Sequence, residues 1–361
     1  MEPLKILIVA SEAPPVVSGV ARSVGEIADG LAKRGHQVSV WSSADSPGLR
    51  WDRLRVSSLG LTLRKRLRQN GPFDIVNIHG PAPTISDLAL LTLALSRKHP
   101  PIVYTHHFAM HFGVPGIDQV GSLYDSVLKF ISTRSAVVVT TSRSYANAYS
   151  SAQKPAVVIP WGLSPADTID TPKNDYDGRR PLRVLVVGQF RRYKGMAIAV
   201  RAALESPKIH LTLVGDGPTF ESVKTIVPST SENIALLGKV GDSALRNLYE
   251  SNDVILLPSR TRMEAFGIVL LEGMRHGCVP VASDLPGVRE VVGENGLLAR
   301  PGDSKDLREV LLRLANDPLL VNSLSDKSRV AAQAFTWQRT VDGYESLFHR
   351  ITGDALREAD V

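Results

Sequence analysis

The feature that most constrains this chain is a regular alternation of short apolar runs with segments of helical period, carried through twice. Leu4 to Ala10 is a continuous apolar run of strand length, and Val20, Val24, Ile27 and Leu31 then recur at helical spacing until Gly35 stops them. Further strand-like runs follow at His36 to Trp41, Asp74 to His79, Ile102 to Thr105 and Ala136 to Thr141. Buried strands alternating with helices imply a parallel, doubly wound sheet. Ser164 to Arg180 then reads SPADTIDTPKNDYDGRR, the Pro, Asp, Asn and Gly composition of an interdomain linker. A second cycle runs through Leu182 to Val187, Ile209 to Val214, Ile234 to Leu237, Val254 to Leu257 and Val279 to Ala282. The expected fold is therefore α/β, with two Rossmann-like, doubly wound parallel-sheet domains facing a cleft. The first takes residues 1–168 and 337–361, the linker 169–180 and the second domain 181–336. Ligands of open parallel sheets bind beyond the carboxyl ends of the strands, so two such domains would hold a ligand in the cleft.

Composition narrows the classes. Hydrophobic residues make up 43% and charged residues 22%, the balance of a soluble globular protein. Cys278 is the only cysteine, which rules out an intrachain disulfide and a cysteine-rich metal site and suits a reducing compartment. Met1-Glu2-Pro3-Leu4-Lys5 leads into an apolar run no longer than a strand, unlike a secretory leader. The longest other apolar stretch, Ile85 to Leu95, is too short for a bilayer and contains Ser86 and Asp87. A cytoplasmic protein is expected. The net charge of +6 favours anionic partners, and its densest cluster is Arg64-Lys65-Arg66 with Arg68, preceded by Arg50, Arg53 and Arg55. Leu61, Leu63 and Leu67 interleave with it. That pattern fits a basic amphipathic helix resting on anionic lipid at the inner face of the membrane, or a solvated helix face whose leucines pack on the sheet. The second reading is favoured, and no nucleic-acid partner is expected.

The most informative segment is Pro258-Ser-Arg-Thr-Arg-Met-Glu264-Ala-Phe-Gly267-Ile268-Val269-Leu-Leu-Glu272-Gly-Met274. It follows an apolar strand and turns helical around Gly267. A glycine at a helix N-terminus lets a ligand approach exposed backbone N–H groups, which suit the phosphates of a nucleotide. Glu272, expected about two turns into the helix, can accept hydrogen bonds from ribose hydroxyls, while Glu264 precedes the helix and can meet a ligand there. A glycosidase carboxylate pair fits poorly, because eight helical steps span roughly 12 Å against the ~5.5 Å of a retaining hydrolase.

With Pro258-Ser259 before it and Gly277, Pro280 and Val281 after it, this segment resembles the E-x7-E motif of the retaining GT-B nucleotide-sugar glycosyltransferases of glycosyltransferase family 4. The resemblance extends through Gly215-Asp216-Gly217-Pro218, Pro286-Gly287-Val288-Arg289-Glu290 and Asn295-Gly296-Leu297-Leu298. It implies a GT-B fold with a C-terminal helix, after Phe335-Thr336-Trp337, crossing back onto the N-terminal domain and fraying after about Gly353. It implies a hexosyl-type transfer from a UDP- or GDP-linked sugar to an acceptor hydroxyl, in glycan, glycolipid or glycoconjugate synthesis, with retention and no required divalent metal. The acceptor is not specified, and a lipid-linked one would suit the basic cluster.

The resemblance also assigns residues. Gly188-Gln-Phe-Arg191-Arg192-Tyr-Lys194-Gly195 is similar to the loop that sets an arginine and a lysine on the donor diphosphate, where fixed cations stabilise the charge of the departing nucleotide. Lys194 matches, Gln189 stands where the family has its arginine, and Arg191 is assigned that charge. Donor contacts are expected from Gly188, Gly267, Ile268, Val269 and Glu272, and from Gly19 in the first domain, where Ser18 replaces a second glycine. His107 is aligned with the histidine that faces the donor sugar, His106 being the alternative. The catalytic set is thus His107, Lys194, Arg191 and Glu264. His107 and His111 have helical spacing, yet no carboxylate or cysteine accompanies them as in a zinc motif, and no metal is expected. Trp161 and Ser164 replace the polar residues of the family's P-N-G-x-D.

Rival readings are a UDP-sugar 2-epimerase on the same scaffold and a non-catalytic nucleotide-sugar-binding protein. An oxidoreductase is disfavoured because no intact G-x-G-x-x-G follows either domain's first strand. The P-loop and serine-hydrolase motifs are absent too.

Overall fold

The computed structural model describes residues 2–16, 18–45, 48–51, 54–96, 98–111, 113–150, 154–164 and 175–359. The chain forms two compact units. The first comprises Met1–Met110, Gly116–Gly162 and Thr336–Val361, and the second His111–Pro115 and Leu163–Phe335. Residues 165–174, most of the stretch read as linker, lie outside the described residues. Of its described remainder, Tyr176 is buried in the second unit, donating to the Ala315 carbonyl at 3.1 Å, and Arg180 grips the Asp253 carboxylate at 2.6 and 2.8 Å.

The first unit runs β1 (Lys5–Val9), α1 (Gly19–Ala32), β2 (Gln37–Trp41), β3 (Gly48–Trp51), β4 (Leu54–Ser57), α2 (Leu59–Asn70), β5 (Ile75–Gly80), α3 (Leu88–Ala94), β6 (Ile102–His106), α4 (Ile117–Ser135), β7 (Val137–Thr140), α5 (Arg143–Tyr149) and β8 (Val157–Val158). Six of these strands form one parallel sheet in the order β2-β1-β5-β6-β7-β8. Its helices follow from local chemistry: Ser18 caps α1 by accepting from the Ala21 N–H at 3.0 Å, satisfying one of the orphan donors of the first turn. Leu7, Val9, Val76 and Ile78 pack on one face of the sheet against Leu59 and Leu63 of α2, Leu90 and Leu93 of α3 and Leu128 of α4. Ile6, Ile8, Ile75 and Val103 face the other way, onto Val24, Ile27 and Leu31 of α1.

The second unit repeats the pattern with β9 (Leu182–Val187), α6 (Met196–Leu204), β10 (Ile209–Val214), α7 (Phe220–Lys224), β11 (Ile234–Leu236), α8 (Asp242–Ser251), β12 (Val254–Leu257), α9 (Ile268–Arg275), β13 (Val279–Ser283), α10 (Pro286–Val292), β14 (Leu297–Ala299), α11 (Ser304–Ala315) and α12 (Pro318–Ala332). The sheet order is β11-β10-β9-β12-β13-β14, again all parallel. In both units the order reverses beside the first strand, which opens a crevice at the carboxyl ends of β1 and β5 and of β9 and β12.

The last helix, α13 (Trp337–Ala359), returns to the first unit and buries Val341, Tyr344, Leu347 and Phe348 on the face that α1 covers. It continues to Ala359, past the end expected near Gly353. Two features were not read from the sequence: the antiparallel pair β3 and β4, and the short edge strand β8. No described helix is long and apolar enough to cross a membrane.

Candidate functional site

The motif residues form two sets, one in each unit. In the second unit, the loop after β9 and the loop after β12 meet at the sheet's switch point. Gly195, at φ 72°, closes the first loop so tightly that a Cβ there would lie 1.9 Å from the Pro258 carbonyl oxygen. The Arg260 N–H donates to the Tyr193 carbonyl at 2.6 Å, stitching the loops together. Across this junction Lys194 Nζ lies 2.5 Å from Glu264 Oε2, and Ser259 Oγ donates to the same oxygen at 3.2 Å. Glu264 is nearly buried, so its charge is held by a lysine and a hydroxyl instead of by water.

Gly267 is the N-cap of α9, with φ 81°. A Cβ there would lie 2.6 Å from Leu257 Cδ2, so both conformation and space demand glycine. The cap starts the helix at Ile268, and Glu272 therefore stands little more than one turn in, not the two turns expected. Its carboxylate accepts from the Tyr249 hydroxyl at 2.9 Å. Arg191 Nε donates to Gln189 Oε1 at 2.7 Å, so the residue in the family's arginine position and its assigned substitute are in contact. Gly188 begins this loop at φ 156°. The loop between β10 and α7 packs on it, because a Cβ on Gly215 would lie 2.0 Å from the Gly188 carbonyl oxygen.

In the first unit, His107 lies just beyond β6, its N–H donating to the Gly80 carbonyl at 2.8 Å. The ring sits between two aromatic neighbours: Nε2 is 2.9 Å from His79 Nδ1, and the Trp161 ring centroid is 5.3 Å away. A Cβ on Gly19 would lie 3.7 Å from Trp161 Cζ3, so Gly19, Trp161 and His107 form one cluster at the carboxyl ends of β1 and β6. Burial pushes the His107 imidazolium down to about 3, leaving the ring neutral at ordinary pH. His106, also pushed down to about 3 by burial and then by His107, packs its ring against that of Tyr149, with centroids 4.3 Å apart and the planes tilted by 37°.

His111 belongs to the second unit and has no helix beneath it, since α4 begins only at Ile117. Among the described residues, three potential ligand groups converge once, at His36, Glu345 and His349. There His36 Nδ1 accepts the Leu4 N–H at 3.0 Å, so the neutral ring carries its proton on Nε2, facing Glu345 at 3.1 Å, and has no lone pair left for a cation.

Of the basic cluster, Arg64, Lys65 and Arg68 on α2 are exposed, while Leu59 and Leu63 are buried on the sheet; Arg53 lies outside the described residues. On the same side of the sheet, α4 exposes Ile117, Val120, Leu123, Val127 and Phe130, each 51–69% accessible. Sequence reasoning did not single out His79 or Tyr249, and it named Ser259 only as part of the motif's frame. A signal existed for the first: Asn77, His79, Thr105 and His107 are polar residues at period two on neighbouring buried strands.

Two family models match. Residues 17–167 match Glycosyltransferase Family 4, and residues 181–317 match Glycosyl transferases group 1. An uncharacterized glycosyltransferase of Methanocaldococcus jannaschii is 29% identical, but the match spans about half of each protein, 46% of this chain and 48% of that one. The phosphatidyl-myo-inositol mannosyltransferase of Mycolicibacterium smegmatis is 27% identical across 95% of this chain and 92% of its own length. Among solved structures, sucrose-phosphate synthase from Thermosynechococcus elongatus superposes with a TM-score of 0.75 at 20% identity, covering 97% of this chain and 99% of that one. Anabaena HepE, solved with UDP and glucose, gives 0.69 at 19% identity, covering 96% and 99%.

Proposed function

The chain belongs to glycosyltransferase family 4 and is a hexosyltransferase of the GT-B fold, and from that premise we propose that it moves a hexosyl residue, with retention, from a UDP- or GDP-linked donor to an acceptor hydroxyl. The observation that carries this reading is the junction of the β9 and β12 loops, where Lys194, Glu264 and the Gly267 cap converge on the switch point of the second sheet. The names of the relatives favour mannose or glucose as the sugar, and the HepE complex, holding UDP and glucose, supports a nucleoside diphosphate leaving group.

In this reading the α9 N-terminus, with the N–H groups of Ile268 and Val269, receives the diphosphate. Gly188 gives the donor room, and Glu272 accepts from the ribose. Lys194 and Arg191 stabilise the charge that develops on the departing nucleotide, which makes a divalent metal dispensable. Glu264 orients Lys194 through their ion pair. In the first unit, His107 donates a hydrogen bond to a sugar hydroxyl and Gly19 admits the sugar close to the backbone. Lys194→Ala tests the core of this assignment: turnover should fall by about 10²–10³, and turnover near wild type would refute it. A thermal-shift screen with UDP, GDP, ADP and their sugars identifies the donor, since ligand at a hundredfold its Kd adds ~2.7 kcal/mol of stability.

The acceptor is proposed to be lipid-linked, reached by peripheral docking on anionic membrane. The exposed cations of α2 and the apolar row of α4 support this, because together they offer charge for headgroups and side chains for the acyl boundary. Sedimentation with phosphatidylglycerol vesicles but not with phosphatidylcholine vesicles is expected, and Leu123→Asp with Val127→Asp should abolish it. Absence of lipid dependence would overturn the docking.

A further inference from the structure

A buried line of hydrogen bonds in the first unit ends on His107. The Tyr344 hydroxyl of α13 lies 3.1 Å from Thr105 Oγ1, which donates to Asn77 Oδ1 at 2.9 Å. Asn77 Nδ2 lies 3.0 Å from His79 Nε2, and His79 Nδ1 lies 2.9 Å from His107 Nε2. The line follows from register. β5 and β6 pair with His79 opposite Thr105, and residues two apart share a face, so Asn77, His79 and Thr105 are brought together inside the sheet. All are fully or almost fully buried, with α13 closing the far end through Tyr344.

Each member of the line has a fixed donor or acceptor role. Thr105 has one proton and gives it to Asn77, so its oxygen accepts from Tyr344. The Asn77 amide nitrogen can only donate, so His79 Nε2 accepts. A neutral imidazole accepting at Nε2 carries its proton at Nδ1, and His79 Nδ1–H therefore donates to His107 Nε2. Burial keeps both rings neutral, the His79 imidazolium lying well below its usual range and that of His107 about 3. The remaining proton of His107 must sit on Nδ1. That atom is buried and has no hydrogen-bond partner among the described residues. A buried N–H lacking an acceptor is uncommon in folded proteins and calls for a partner, which a bound ligand or a water can supply.

We propose that His79 is a positioning residue that locks His107 in its Nδ1–H form, so that His107 offers a donor and not an acceptor to its ligand, the lone pair of a sugar hydroxyl. The inference rests on the reading that His107 meets the transferred sugar, but the tautomer itself does not. Without His79, His107 Nε2 has no donor facing it and the ring is free to hold its proton there, turning an acceptor toward the hydroxyl.

The experiment has a spectroscopic and a kinetic arm. In histidine-15N-labelled protein, with His107 assigned by comparison with His107→Ala, wild type should show His107 protonated at Nδ1 and His79→Leu should show Nε2–H. A wild-type Nε2–H signal would overturn the proposal, and this spectrum suffices even if His79→Leu fails to fold. Kinetically, release of UDP from UDP-glucose and of GDP from GDP-mannose should fall in His79→Leu by about ten- to a hundredfold in kcat, the range seen when a partner that orients another group is removed. KM should stay within about twofold, because most of the donor's affinity comes from the nucleotide contacts assigned to the second unit. His79→Asn, whose amide keeps a donor near the Nδ1 position, should recover most of the loss. In a His107→Ala background, His79→Leu should cost nothing further. Additive losses would overturn the proposal, as would a fully active His79→Leu beside an impaired His107→Ala. If His107→Ala alone retains full turnover, it is the placement of His107 on the sugar that fails, while the spectrum still decides the tautomer.

Discussion

At the residue scale, the two glutamates that frame the motif have different partners and should fail differently. Glu264 holds Lys194, so Glu264→Gln should loosen the lysine and lower turnover while leaving nucleotide affinity close to wild type. Glu272 accepts from the Tyr249 hydroxyl at 2.9 Å and stands in the first turns of α9, and Glu272→Ala should weaken UDP or GDP binding by about tenfold, the worth of one charge-assisted hydrogen bond. Isothermal titration against single-turnover kinetics separates the two. The pH profile is a further check. Because the His107 imidazolium is pushed down to about 3, the ring stays neutral above roughly pH 5, and turnover should show no limb from His107 between pH 5 and 8. A limb near pH 6.5 that vanishes in His107→Gln would contradict a neutral donor. Lys194, Glu264 and Gly267 were legible in the sequence because each lies in a short motif whose neighbours announce it. His79 was not, since its role depends on pairing with a strand more than twenty residues away.

At the scale of elements, the donor site is a matter of backbone fit. Gly195 has φ 72° and no room for a Cβ against Pro258, so Gly195→Ala should cost at least ~2 kcal/mol and separate Lys194 from Glu264. Urea denaturation should register the loss together with weakened UDP binding; an unchanged midpoint would mean the loops can part freely. Asp87, just before α3, makes a different prediction. Burial raises its carboxyl to about 6, against opposing hydrogen bonds from Ser86, Tyr104 and the Ala82 N–H. A carboxyl raised above its unfolded value of 3.8 contributes stability that is complete below that value and lost as pH rises through about 6. The stability of Asp87→Asn relative to wild type should therefore climb by on the order of 2–3 kcal/mol between pH 4 and 7. A flat difference would place the carboxyl in an ordinary range. Most strands and helices could be read from apolar runs and period, since both sheets are buried and parallel. The pair β3 and β4 escaped because four-residue strands beside a basic cluster give no clear period. The start of α9 at Gly267 was clear, but the expected depth of Glu272 was too large, because the four steps from Ile268 to Glu272 make little more than one turn at about 3.6 residues per turn.

At the scale of the molecule, the chain builds two separate cores, and the first is completed by the last helix. Val341, Tyr344, Leu347 and Phe348 of α13 pack beside α1 on the same face of the first sheet, while Arg34 binds both Asp342 and Glu345 of α13. The resemblance had implied this return crossing, but not that Tyr344 would anchor the line leading to His107. Two cores imply two cooperative transitions, and each should answer to its own perturbation. Phe348 is fully buried, so Phe348→Ala should destabilise the first unit by about 3–5 kcal/mol, and Leu211→Ala should do the same to the second by about 2–5. Calorimetry would resolve them: Phe348→Ala should lower one transition and Leu211→Ala the other, while UDP or GDP should raise only the transition that Leu211→Ala lowers. Should nucleotide instead raise the transition that Phe348→Ala lowers, donor binding would have to be reassigned to the first unit, and Lys194 and Glu272 with it would lose their proposed roles.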